Sequence, residues 1–213
     1  MGNALRKSGT NKPIFYNVSH SVHLAEAYFD SKIQGGTFQW YPTGLGYQRE
    51  LPGNFLPNVN AYTIPFENII KEYQGAKLVY EFDAADIGRS YIYPAMARSF
   101  REAGIQIATH FSYDPTYLAG VNTEYNTHYM NLLFTPQKAL SLMIASEVFH
   151  KIPMYKNFGK YPENNSFGAF KVDYFKDLAE YNTAEKFLYT NETNSTLINE
   201  KKLVQLAGFG NSS

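Results

Sequence analysis

Between Pro13 and His150, short β-branched and aromatic runs alternate four times with stretches of helical periodicity, an order that few folds can accommodate. Residues 14–18 read as a strand, and Val22, Ala25, Tyr28 and Phe29 follow at helical spacing. Gly35 and Gly36 break the chain before a second strand over 37–41, closed by Pro42 and Gly44. A loop rich in Gly, Pro and Asn then runs to about residue 63, too long for a plain connector. Pro65 opens a helix whose buried stripe is Phe66, Ile69, Ile70 and Tyr73, with Gly75 at the position of a C′ glycine. The third strand lies within 77–86, and its helix over 93–103 has Pro94 near the start and Gly104 beyond the end. Residues 105–111 form the fourth strand. Thr135 and Pro136 cap and start a helix to His150, with Leu140, Met143, Ile144 and Val148 on its apolar side. Consecutive strand–helix units joined by right-handed crossovers build a parallel α/β sheet, and four units make half of a (β/α)8 barrel.

Composition narrows the function classes. Lys plus Arg equal Asp plus Glu at 19 each, with no cationic block of the kind that holds phosphates, which disfavours nucleic acid as a partner. With 18 Tyr and 16 Phe the chain is rich in rings that can offer an apolar face and a polar tip to a sugar. The chain has no cysteine, so neither disulfides nor thiolate metal sites arise. The first ten residues lack the apolar run of a signal peptide, and no stretch is long enough to span a membrane.

The third strand, Lys-Leu-Val-Tyr-Glu-Phe-Asp-Ala-Ala-Asp, delivers three carboxylates where it runs out. Strict alternation puts Glu81 and Asp83 on the face of Val79, opposite Leu78, Tyr80 and Phe82. In parallel sheets ligands collect at the carboxyl ends of strands, which makes Glu81 the first catalytic candidate, set against a purely structural carboxylate. Tyr41, His110 and Tyr113 stand at neighbouring strand ends as candidate donors to Glu81 and contacts for a substrate. His110 aligns with Gln106 and Ala108, opposite Ile105, Ile107 and Phe111. Trp40 is the only tryptophan and is either a stacking platform or core filler. Asp86 reads as a helix cap, and Asp83 as a cap or a sugar-hydroxyl partner. Glu124 and His128 share a helical spacing but show no third ligand, so no metal is expected. Residues 42–46 lack the spacing and the Lys-Ser/Thr ending of a phosphate loop, and no cofactor is expected.

The segments KPIFYNVS, GGTFQWYPTGL, KLVYEFDAAD with YPAMARSFREAG, IQIATHFSYDP, and NTEYNTHYMN with TPQKALSLMIASEVFH resemble the second half of a clan A type TIM-barrel glycoside hydrolase. Within that group the chain is most similar to agarase-like and secreted glycosidase-like proteins of marine and gut Bacteroidetes, over roughly residues 12–190. The resemblance implies a hydrolase of polysaccharide glycosidic bonds, secreted, periplasmic or at the cell surface in its full length, whose seventh barrel strand ends in the nucleophile; here that is Glu81. The clan's acid/base Glu follows an Asn on the fourth strand, a position upstream of this chain. Residues 12–150 are then the C-terminal half of the catalytic barrel. From about Lys151 a polar loop, a strand over 167–174, a helix over 175–181 and a strand over 185–189 form an extension, 151–213, that opens a β-rich accessory domain without completing it.

Two functions compete: a glycosidase that acts with Glu81 but is inactive alone, and a non-catalytic carbohydrate-binding or structural protein on a degenerate glycosidase barrel. Nucleotide binding is disfavoured, because no glycine-rich loop joins a strand to a helix in the required form. The open edges of a half-barrel predict self-association.

Overall fold

The computed structural model describes residues 2–18, 21–44, 49–111 and 135–211. A short helix α1 (Gly2–Lys7) precedes four strand–helix units: β1 (Phe15–Asn17) with α2 (Ala25–Asp30), β2 (Gly35–Trp40) with α3 (Glu67–Glu72), β3 (Ala76–Phe82) with α4 (Ile92–Glu102), and β4 (Ile107–His110) with α5 (Pro136–Lys151). The strands lie side by side in chain order and every neighbouring pair is parallel. Among the described residues this sheet stays open and no closed barrel forms. Right-handed crossovers between strands in chain order place their helices on one face. The buried cluster agrees, since Phe38, Val79 and Phe82 pack with Phe66, Ile70, Met96 and Phe100.

One irregularity decides where Glu81 lies. Phe38 pairs with Val79, but the next residue, Gln39, pairs with Glu81, so Tyr80 is an extra residue in β3. The β4 side shows the same insertion, with Val79 opposite Ala108 and Phe82 opposite His110. Such a bulge reverses the alternation beyond it. Lys77, before the bulge, faces the helices, its Nζ 2.7 Å from Glu67 Oε1 and 3.0 Å from the Ala103 carbonyl. Phe82, after it, also faces them, with its ring centroid 5.3 Å from that of Phe100. Glu81 therefore sits on the opposite, open face with Gln39, and not on the face of Val79 as strict alternation predicts.

Two glycines answer to specific neighbours. The left-handed residue after α3 is Gln74, at φ 52°, and not Gly75. Gly75 meets the ring of Phe29, where a Cβ would come within 2.7 Å of Cε1. After α4, Gly104 holds the expected left-handed turn at φ 80°.

The carboxyl-terminal region is a second, mixed sheet. Its strands β5 (Ser166–Phe167), β6 (Phe170–Asp173), β7 (Leu178–Asn182), β8 (Lys186–Tyr189) and β9 (Gln205–Gly208) lie in order. They are antiparallel except for the parallel pair β8–β9. The helix expected over 175–181 is β7 instead: the rings of Phe170 and Tyr181 stack at 4.5 Å across the strands, and tertiary burial overrides the helical look of Leu-Ala-Glu-Tyr. Residues 205–208 pair with β8 as β9, with Tyr189 so close over Gly208 that a Cβ there would fall 2.1 Å from Cζ. Phe167, Phe170, Tyr181 and Leu188 belong to the same buried cluster as Val148 of α5 and Phe100 of α4.

Two contacts bind the sheets through α4. Arg98 is buried, donates to the carbonyls of Asn164, at 2.6 Å, and of Gly159, and lies 4.1 Å from the centroid of Tyr161. At the entry to α4 the capping carboxylate is Asp177, from the β6–β7 turn, in place of the expected Asp86. Its Oδ1 accepts from the amides of Ser90 at 2.5 Å and Tyr91 at 3.3 Å.

Candidate functional site at the carboxyl end of the parallel sheet

The open face of the parallel sheet is layered by cross-strand register. Thr37 pairs with Leu78 and Leu78 with Ile107, and this level is mostly apolar. One step toward the carboxyl ends come Gln39 and its partner Glu81, with Thr109 beside the bulge. That level is polar. Thr109 Oγ1 donates to the carbonyl of Tyr80, and Tyr62 Oη donates to the carbonyl of Gln39 at 3.1 Å, so the strand ends are tied where the ladder loosens.

Glu81 is half-buried, and the phenol of Tyr41, one residue beyond β2, donates to its Oε1. No other hydrogen bond to Glu81 occurs among the described residues, so Oε2 stays available. Thr43 Oγ1 donates to the Ala85 carbonyl at 3.2 Å and holds the loops after β2 and β3 together. The bulge at Tyr80 and the tether from Tyr41 are what place this carboxylate at the sheet's mouth.

A second cluster lies behind it, on the helix side. Asp83 Oδ1 accepts from Tyr93 Oη at 2.7 Å and lies 3.1 Å from His110 Nε2, and Tyr93 Oη is 2.9 Å from the same nitrogen. The Asp83 and His110 side chains are 1% and 7% exposed, so both residues are joined to each other in the interior. Lys138, three residues into α5, donates to the Ile87 carbonyl at 2.8 Å and lies 4.3 Å from the centroid of Tyr93. Burial drives the Lys138 ammonium down to about 8, against the partial support of Asp83, Asp177 and Glu50. Burial, reinforced by Asp83, pushes the Tyr93 phenol well above its ordinary value.

The remaining sequence candidates fall elsewhere. Trp40 turns to the helix side, its ring 4.9 Å from Tyr62 and 5.0 Å from Phe100 between centroids. Tyr113, Glu124 and His128 lie outside the described residues. Among the described residues no group of three or more His, Asp or Glu could hold a metal, and no helix is long and apolar enough to cross a membrane. Sequence reasoning missed Tyr93 and Lys138. Each sits in the first turn of its helix, next to Pro94 and just after Pro136, where a helix that follows a strand aims side chains at the strand ends.

No protein-family model, curated protein or solved structure matches this chain.

Proposed function

We propose that this chain carries the nucleophilic half of a retaining glycoside hydrolase acting on a polysaccharide outside the cell, with Glu81 as the attacking carboxylate. The observation behind this reading is the bulge in β3. It turns Glu81 out of the helix-packed face into a polar layer at the strand ends, where Tyr41 fixes one oxygen and the other is free to attack. Retention needs a second carboxyl group about 5 to 5.5 Å away to protonate the leaving oxygen. In the first half-reaction Glu81 Oε2 bonds to the anomeric carbon as the glycosidic C–O bond breaks, and the departing oxygen takes its proton from that second acid.

A leaving group that needs no proton isolates the role of Glu81. A panel of 2-deoxy-2-fluoroglycosyl fluorides is expected to add one fluoroglycosyl unit to the peptide containing Glu81, read by mass spectrometry, and Glu81→Gln should abolish the adduct. An adduct on another residue, or none with any sugar of the panel, overturns the assignment.

The second reading is a non-catalytic carbohydrate-binding protein. In its favour, Glu81 is the single carboxylate paired into the polar layer among the described residues. Binding of an oligosaccharide that survives Glu81→Gln, with no labelling of the wild type, selects it.

A further inference from the structure

We propose that two copies of this chain pair about a twofold axis parallel to the strands, β4 of each beside β1 of the other, and so close an eight-stranded parallel barrel. Three observations converge on that assembly. First, among the described residues the strand order leaves β1 and β4 as the two outer strands of a wholly parallel sheet. The Gln106 amide donates to the Lys77 carbonyl at 3.0 Å, so alternation turns the backbone N–H and C=O of Ile107 outward, away from β3. Second, among the described residues the helices cover one face of the sheet, whereas parallel sheets are normally buried on both. On the open face Ile107 is 54% exposed. Third, a cleft of about 350 Å³ runs between β4 and α5, lined chiefly by Phe82, Ile107, Ala108, Leu142, Ala145 and Phe149. Helix α5 thus already covers the place where one more strand would lie.

A second copy fits this edge better than an arbitrary strand. In a sheet laid down in chain order, the unit expected beyond β4 is another strand followed by its helix, and β1 with α2 is such a unit. Rotation about an axis parallel to the strands preserves their direction, so both new pairings are parallel and the interface closes on itself. Four and four strands reach the number at which a barrel interior is just filled by side chains. The level of Thr37, Leu78 and Ile107 would form its packed middle, and Gln39, Glu81 and Thr109 its mouth. One Glu81 from each copy then stands at the same mouth, so the partner supplies a second carboxylate. The chemical use of that pair rests on the hydrolase reading; the assembly itself does not.

The test is sedimentation of the full chain over a wide concentration range, which should show a monomer–dimer equilibrium that ends at twice the mass of one chain. Ile107→Lys adds a charge at a position exposed in the single copy. It should leave the circular dichroism and melting of the monomer intact while weakening the dimer by roughly two orders of magnitude or more. Ile107→Thr should weaken it in the same direction by less. Val204→Lys, at a site 82% exposed beside the second sheet, should leave the dimer unchanged. Amide exchange at Ile107 should slow as the dimer forms. A monomer at every concentration, an assembly larger than two, a dimer indifferent to both Ile107 variants, or one broken by Val204→Lys overturns the proposal. All these readings are independent of turnover, so failure to label Glu81 with the dimer intact counts against the hydrolase alone.

Discussion

The two sheets pack around the same helices, α4 and α5, yet they treat a carboxylate in opposite ways. In the second sheet Glu180 is buried and both its oxygens are taken, by Ser195 Oγ at 2.7 Å and Thr193 Oγ1 at 2.5 Å. That sheet is also covered on both faces, by the shared core inside and by Leu178, Phe187 and Tyr189 with Leu197 and Leu203 outside. In the parallel sheet, among the described residues, Glu81 keeps an oxygen free on a face that no helix covers, while the buried titratable groups stand behind it. A carboxylate whose partners are all protein holds structure together. A carboxylate with one oxygen available can do chemistry. The second sheet is on this view a brace, and the carboxylate proposed to react lies in the first.

The largest effect that could break this division comes from Arg98. If the second sheet braces α4, removing the guanidinium leaves two backbone carbonyls without their donor, and Arg98→Met should cost roughly 3 kcal/mol. Because one buried cluster spans both sheets, the loss should appear as a lower midpoint of a single denaturant transition, the same by near- and far-ultraviolet circular dichroism. Two separate transitions, with the variant shifting only one, would make the sheets independent units.

The parallel sheet was largely legible in the sequence because each of its elements is marked locally, as with Pro65 before α3, Gly104 after α4 and Pro136 at the start of α5. The face of Glu81 was not legible. A bulge at Tyr80 has no glycine to announce it and exists only in the register of β3 with both neighbours. The strand at 178–182 was misread for a related reason, since Leu-Ala-Glu-Tyr favours a helix until Phe170 and Val172 lie across from it. Trp40 beside Tyr41 carried no sign of which ring faces the helices, because that depends on Tyr62 and Phe100, far along the chain. Long-range pairing, more than local propensity, separated the residues that were placed correctly from those that were not.

A difference in pH response sharpens the comparison. Lys138 titrates near 8 in the folded chain, below its ordinary 10.5, so the folded state holds fewer protons on this group between those values. Its burial penalty is therefore fully present below pH 8 and is relieved as the pH rises toward 10.5, with a limiting slope of about 1.4 kcal/mol per pH unit. Tyr93 works in the opposite sense. Its raised folded value gives a stability that is lost only above the ordinary tyrosine range near 10. Stability should thus climb between about pH 8 and 10 relative to Lys138→Met, measured by urea titration at each pH. Parallel curves for the two proteins would remove Lys138 from the account.

A smaller effect is expected at the cap that joins the regions. Asp177→Ala leaves the amides of Ser90 and Tyr91 without their acceptor and should cost about 1 kcal/mol. Burial pushes the Asp177 carboxyl above its ordinary value, which means that its charge is held at some penalty. Asp177→Asn keeps an acceptor oxygen without that charge, so its loss should be less than half that of Ala by thermal melting. An equal loss in both variants would show that the charge, acting on the start of α4, matters more than the hydrogen bonds.

The smallest expected effect tests whether the brace carries a hidden surface. Phe175, in the turn after β6, is 92% exposed, with its ring centroid 5.3 Å from that of Tyr174 as its one ring contact among the described residues. Replacing it by Ser removes little buried area, and the change in stability should stay within about 0.5 kcal/mol. The oligomeric state and the labelling of Glu81 should not move either, because both depend on the parallel sheet. A clear change in either one would give the second sheet a role in recognition, since an isolated exposed ring can alter behaviour that far away only by touching a partner.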